Sequence, residues 1–310
     1  MSYQILTDQD VRTFLDIQTV VRKIEDAFRE KVSGTLVAPP RFSVETSRGS
    51  LVFTAGAATK KEKVIGFRAY TTHGKSTDTT QLVAVFDSEN GELKGVVIGS
   101  MIGALRTGAL GGAAVKYLSR SNSKSVGVLG SGLQARTQLE ATAAVRDIKM
   151  VSVYSPNQDH REMFAWEMKT KLGVPVEAVS SVKEASGEMD IILCTTNSRQ
   201  PIIDVDWIKP GSHINVVGPN EIDESVVQKC DVIVTDSLEQ LKDHPKPLCI
   251  MNEKYSSKII EMGDIIVGKK QGRLHEQDIS LYCSAGLAGT EVIVANELFK
   301  LALARKTPVK

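Results

Sequence analysis

Three features predict the fold class. A Gly-x-Gly-x-x-Ala turn sits between a short apolar strand and a helix, a strand–helix–strand rhythm follows it, and a series of short β-rich runs precedes it. The chain reads as α/β: a doubly wound parallel sheet of the Rossmann type over residues 120–287, plus an α+β domain with a largely antiparallel sheet over residues 1–119, to which residues 288–310 return. The turn is Gly130-Ser131-Gly132-Leu133-Gln134-Ala135, entered from the buried run Val126, Val128, Leu129. Gly130 permits the tight turn and Gly132 lets the backbone approach a pyrophosphate. Ala135 is small enough for the next helix to pack on the strand, and that helix aims its positive N-terminus at the phosphates. Glycines of this kind also serve purely structural turns; the strand before and the helix after favour the nucleotide reading.

In chain order, Ile17, Val20, Val21, Ile24, Ala27 and Phe28 recur at three- and four-residue spacing and predict a helix over Asp16–Val32, ended by Gly34. Pro39-Pro40 forces extended chain. Strands follow at Arg41–Glu45, Gly49–Ala55, Val64–Thr71, Gln81–Asp87 and Leu93–Ile98, parted by turn residues such as Ser88-Glu89-Asn90-Gly91. The polar insert Thr72–Thr80 is too long for a hairpin turn and is a candidate functional loop. Met101–Leu118 is a helix of small residues, and Ser119–Lys124 is a polar linker and the expected domain boundary. Beyond it come strands Val126–Leu129, Met150–Tyr154, Ile191–Thr195, His213–Val217 and Val232–Thr235, with helices Gln134–Val145 and His160–Leu172 between the first three. The last section, Ile265–Val267, Gly268–Arg273 and a helix from about Leu287 to Ala304, is expected to return to the first domain.

Composition excludes several classes. The 310 residues are 42% hydrophobic and 24% charged, with Lys+Arg 38 against Asp+Glu 37, so no global field attracts nucleic acid or an anionic membrane. Cys194, Cys230, Cys249 and Cys283 are dispersed, with no histidine at ligand spacing, which fits reduced thiols better than disulfides or a metal site. No apolar run approaches the ~18 residues of a membrane span, and the first residues lack a secretory pattern, so a cytoplasmic location is expected.

At the end of the second parallel strand, a carboxylate normally binds the ribose hydroxyls of NAD. Here Tyr154 is followed by Ser155-Pro156-Asn157, with His160 and Arg161 at the helix start, an arrangement that leans toward NADP over NAD. Thr195-Thr196-Asn197 and Val217-Gly218-Pro219-Asn220 fall at further strand ends, where ligands lie in such sheets.

The chain resembles the ornithine cyclodeaminase/mu-crystallin family from end to end. Pro39-Pro40-Arg41, Leu105-Arg106-Thr107 with Lys116-Tyr117-Leu118, and Gly130 to Ala135 are similar to family motifs, in family order. So are Gly211-Ser212-His213-Ile214-Asn215-Val216-Val217-Gly218, and Ile279-Ser280-Leu281-Tyr282 with Ser284-Ala285-Gly286-Leu287-Ala288. The resemblance implies a nicotinamide-dependent enzyme acting at the α-carbon of a small amino or imino acid, and a homodimer in which the N-terminal sheet domain pairs with its twin. It further implies Arg41 and Arg106 as clamps on the substrate carboxylate and Thr107 as a contact to cofactor phosphate. Ser131, Leu133, Gln134 and Ser284 join the glycines in the cofactor site. Arginine suits a clamp, because its planar fork gives bidentate, charge-assisted bonds to a carboxylate.

Two departures matter. The family strand commonly reads Gly-x-Lys, whereas this chain has Gly66-Phe67-Arg68. Arginine does not give up its proton, so Arg68 would anchor or add charge, leaving proton handling to His73, Tyr70 or a water. Cyclodeaminases carry an Asp where Asn220 stands, and Asn cannot act as a base, which weighs against ammonia-releasing cyclisation. The leading expectation is reduction of a C=N bond next to a carboxylate, as in pyrroline-2-carboxylate reductase. An ornithine-type cyclodeaminase, an alanine-type amino-acid dehydrogenase and a catalytically retired NADP-binding protein are the alternatives.

Overall fold

The computed structural model describes residues 3–72, 81–243 and 248–306, which fall into two compact units. The first comprises Met1–Arg106 and Leu287–Lys310, the second Thr107–Gly286.

The first unit is built on a seven-stranded sheet: β1 (Gln4–Thr7), β2 (Leu36–Val37), β3 (Phe42–Thr46), β4 (Gly49–Ala58), β5 (Val64–Thr71), β6 (Gln81–Asp87) and β7 (Leu93–Ile98). Its order is β1-β7-β6-β5-β4-β2 with β3 on β4, and every pair is antiparallel except β1 with β7. Alternation decides the two faces. Val52, Thr54, Val64, Arg68, Val83, Val85 and Val97 are buried beneath the C-terminal helix Thr290–Lys306, while Phe42, Val44, Leu51, Ile65 and Ile98 stay exposed. The helix Ile17–Val32 starts one residue after the predicted Asp16, because the Asp16 carboxylate accepts from the Thr19 N–H at 2.8 Å as its N-cap. Asp8 caps a second helix from a distance, accepting from Ser100 N at 3.1 Å and Met101 N at 2.9 Å where Met101–Leu118 begins. Gly56 is dictated by proximity: a Cβ there would stand 2.5 Å from the Gly289 Cα, just before the C-terminal helix.

The second unit is an eight-stranded, wholly parallel sheet of β8 (Ser125–Leu129), β9 (Met150–Tyr154), β10 (Val176–Ala178), β11 (Ile191–Cys194), β12 (His213–Val216), β13 (Val232–Thr235), β14 (Ile259–Glu261) and β15 (Ser280–Cys283). The order β10-β9-β8-β11-β12-β15-β13-β14 reverses direction between β8 and β11. Apolar cores cover both faces. One joins Val126, Val128, Leu139, Val151 and Phe164; the other joins Ile192, Ile214, Val216, Ile233 and Leu281.

Two expectations about organisation differ from the structure. The compact units divide at Arg106/Thr107, inside Met101–Leu118, and not in the 119–124 linker. The small residues explain it: a Cβ on Gly108 would stand 2.6 Å from the Thr137 Cβ, and one on Gly112 would stand 2.7 Å from the Ala141 Cβ, so the later turns of this helix seat on Leu133–Val145. Ile265–Val267 and Gly268–Arg273 remain in the second unit, and only from Leu287 does the chain belong to the first. Arg273 accounts for part of this, donating to the Leu118 and Ser212 carbonyls at 2.8 and 3.1 Å.

Candidate functional site

In the second unit, the chain leaves β8 through Gly130, whose φ of +108° and position against the Thr195 carbonyl, 2.6 Å from a would-be Cβ, both demand glycine. Gly132 is the N-cap of helix Leu133–Val145, and no side chain caps that end. A helix start without a side-chain cap leaves its first N–H groups for a ligand, and their partial positive charge suits a phosphate. Ala135 is fully buried, so the small residue required for close helix–strand packing is in place.

Around the end of β9 the side chains hold one another. Ser131 Oγ bonds Ser155 Oγ at 3.0 Å, and Ser155 Oγ donates to the Asn157 carbonyl at 3.2 Å. Arg161 donates to the Ser155 carbonyl at 3.0 Å, and the Asn157 side chain caps the next helix by accepting from His160 N at 2.9 Å. Two cavities open at these strand ends. One of about 410 Å³ lies against Leu129, Gly130, Tyr154 and Pro156; the other, of about 400 Å³, lies against Gln134, Thr195, Arg199, Val217, Gly218 and Asn220. Both are walled by Thr196, Asn197 and Ser198, placing them side by side at the switch point of the sheet, where open α/β sheets bind ligands.

Two buried carboxylates with no role in the sequence reading organise these loops. Glu221 accepts from Val217 N at 3.2 Å, from Gly218 N at 2.6 Å and from Thr196 N, so one side chain ties the ends of β11 and β12 together. Burial raises its pKa, and the backbone donors only partly offset that. Asp236, directly after β13, accepts from the Tyr282 and Ser284 hydroxyls at 3.0 and 3.1 Å and from Ala285 N and Gly286 N at 3.0 and 2.9 Å. Ser284 therefore stands in a loop fixed by Asp236. Thr107 is buried, and its carbonyl accepts from Gln138 at 3.0 Å.

In the first unit, Arg68 on β5 and Arg106 meet on one carboxylate. Arg106 Nη2 lies 3.0 Å and Arg68 Nη1 3.3 Å from Glu291 Oε1, and the Thr54 hydroxyl donates to the same oxygen at 3.4 Å. Arg68 Nε donates to Gln81 at 2.9 Å, and its guanidinium lies 4.3 Å from the centre of the Tyr70 ring. Burial would raise the Glu291 pKa, but the two arginines outweigh it and hold the carboxyl below the usual range. Burial lowers the Arg68 pKa while Glu291 opposes it, and a guanidinium starting so high stays charged. The Arg106 Nε is buried with no hydrogen-bond partner among the described residues. Arg41 is half-buried in the turn before β3, and His73 lies outside the described residues. Glu291 escaped the sequence reading; an acidic residue opening an otherwise apolar, Ala-rich helix directly after Gly289-Thr290 was the available signal. Among the described residues no group of His, Cys, Asp and Glu could hold a metal ion, and no helix is long and apolar enough to cross a membrane.

A wholly parallel, doubly wound sheet with a glycine turn and an uncapped helix at its switch point defines the dinucleotide-binding class of α/β proteins. The comparisons agree. The Delta(1)-pyrroline-2-carboxylate reductase of Bacillus cereus is 34% identical over 239 residues, covering 74% of this chain and 73% of that protein. The structure of the Thermococcus litoralis Delta(1)-pyrroline-2-carboxylate reductase in complex with NADH and L-proline superposes with a TM-score of 0.89 at 29% identity, covering 98% of both chains. An archaeal alanine dehydrogenase dimer with bound NAD also gives a TM-score of 0.89, at 30% identity over 99% of this chain and 98% of that one. The chain belongs to the ornithine cyclodeaminase/mu-crystallin family, whose profile matches residues 1–305.

Proposed function

We propose that this protein is an NAD(P)H-dependent oxidoreductase that reduces a C=N bond next to a carboxylate, with cyclic ketimines such as pyrroline-2-carboxylate as substrates. The observation that carries this reading is the Arg68–Glu291–Arg106 cluster: two buried guanidiniums share one carboxylate, and the Arg106 Nε keeps an unspent, buried donor. A buried donor without a partner costs about 1–3 kcal/mol, more when charged, and an incoming carboxylate recovers that cost. Arg41 is the second clamp in this reading.

The second unit's crevice fits a dinucleotide: the N–H groups at the start of Leu133–Val145 would take the pyrophosphate, and Thr195, Thr196, Val217 and Gly218 would line the remainder. Bound there, a reduced nicotinamide supplies a hydride. Reduction also needs a proton on nitrogen. Arg68 and Arg106 hold their protons, so that proton comes through Tyr70 or from solvent. Asn220 at the crevice cannot serve as a base, which favours imine reduction over ammonia-releasing cyclisation. We place NADPH ahead of NADH, because no carboxylate follows Tyr154 to repel a 2′-phosphate while Arg161 is close by.

The same reading makes the protein a cytoplasmic homodimer. One face of the first unit's sheet exposes Phe42, Val44, Leu51, Ile65 and Ile98, and Phe42 stacks on Phe53 with centroids 5.1 Å apart. An apolar face of this kind suits burial against a second copy. The test of the reaction is a panel of cyclic imino acids with NADPH and with NADH. Oxidation of cofactor with formation of the matching amino acid is expected. Tight cofactor binding without oxidation on any imine or amino acid would return the protein to the retired class.

A further inference from the structure

We propose that Glu291 is a positioning residue that sets the charge of the Arg68–Arg106 cluster, so that the cluster favours an imino acid with one carboxylate over one with two. This rests on the reading above. Glu291 opens the C-terminal helix with its side chain 2% exposed, and its Oε1 takes both guanidiniums and the Thr54 hydroxyl, while Oε2 faces the Thr290 hydroxyl at 3.3 Å. Both arginines bond the carboxylate end-on through a single nitrogen. Arg68 spends its Nε on Gln81 and one terminal nitrogen on Glu291, whereas Arg106 gives Glu291 one terminal nitrogen and keeps its Nε for a second anion.

Arg68 is held from two sides. A Cβ on Gly103 would stand 2.8 Å from Arg68 Cζ, so this guanidinium lies across the start of the helix that carries Arg106, and Gln81 fixes its Nε. Two cations and one anion leave this largely buried cluster with a single positive charge, where without Glu291 it would carry two. One carboxylate neutralises it. A second carboxylate at this cluster would find no cation left to it there, and an unpaired buried charge is strongly disfavoured. Stability alone does not call for such a cluster, because buried ion networks are often no more stable than apolar residues of the same volume.

The test is a charge cycle on the cofactor-loaded protein. Binding of L-proline and of pyrrolidine-2,5-dicarboxylate is titrated for the native chain and for Glu291→Gln, Arg68→Gln and the double variant. Loss of Glu291 raises the dicarboxylate-to-monocarboxylate affinity ratio by about tenfold or more. Arg68→Gln weakens proline, and the double variant, which restores the single positive charge, returns the ratio to near the native value. NADH affinity, read separately, stays constant. If Glu291→Gln is too unstable to purify, the native-to-double comparison together with Arg68→Gln decides the matter. A ratio that fails to follow net charge across the cycle overturns the assignment of Glu291. Failure of the native enzyme to turn over any imine, with the ratios still tracking charge, overturns the reaction and leaves Glu291 in its role.

Discussion

Arg106 sits where an arginine is costly unless it is answered. On an otherwise apolar helix its ion partner among the described residues is Glu291, and its buried Nε faces no acceptor among them. Arg106→Met is expected to raise the substrate KM by about 100-fold, the loss of a charge-assisted contact of 2–3 kcal/mol. It should also cost about 3 kcal/mol of stability, since Glu291 then keeps a single cation. Steady-state kinetics and urea unfolding on the same preparation separate the two effects. The arginines were legible because cations on a small-residue helix and a β-strand are conspicuous in sequence. Their shared counter-ion was not: Glu291 is distant in sequence, and only the antiparallel sheet and the C-terminal helix bring it to β5. Asp236 and Glu221 were hidden for another reason: each accepts from backbone N–H groups, which no side-chain pattern announces.

The glycine turn is the element on which the second unit's crevice depends. Gly130→Ala forces a Cβ to within about the same 2.6 Å of the Thr195 carbonyl at a φ of +108°, so loss of measurable NADH binding is expected, with a lower unfolding midpoint. Calorimetric titration of the folded variant checks it. A second element-scale consequence concerns His213 on β12. Its ring nitrogens meet Ser280 Oγ at 2.9 Å and Asn215 Oδ1 at 2.8 Å, and full burial brings its pKa down from 6.5 to about 3. The folded pKa lies below the unfolded one, so the unfolded chain takes up the proton first. Stability is complete above about pH 6.5 and falls as the pH drops toward 3. Between about pH 6.5 and 5 the loss is of order 2 kcal/mol, and in denaturant titrations His213→Gln should flatten this limb. Alternation and turn residues made β5, β6, β7, β9 and β13 readable to the residue. β15 was read as a motif with no strand assigned, and its insertion between β12 and β13 is a long-range pairing that periodicity does not encode. Short edge elements such as β1 and β14 offered too few residues to show a period.

At the scale of the whole molecule, the exposed apolar face of the first unit's sheet is the feature that composition conceals, since a single sequence does not say which apolar strand residues meet solvent. Phe53→Lys together with Phe67→Glu, at the stacked Phe42–Phe53 pair and its tilted neighbour, is expected to shift the sedimentation coefficient from dimer to monomer without changing the circular dichroism. A native chain that sediments as a monomer at micromolar concentration would contradict the proposed dimer. The reaction itself is tested most directly with a nicotinamide carrying deuterium at the transferable position. The purified protein is incubated with labelled NADPH or NADH and pyrroline-2-carboxylate, and the product is analysed by mass spectrometry. The account predicts proline with one deuterium at its α-carbon and a stoichiometric amount of oxidised cofactor. Proline without label, or labelled cofactor recovered intact beside unreacted imine, would contradict it.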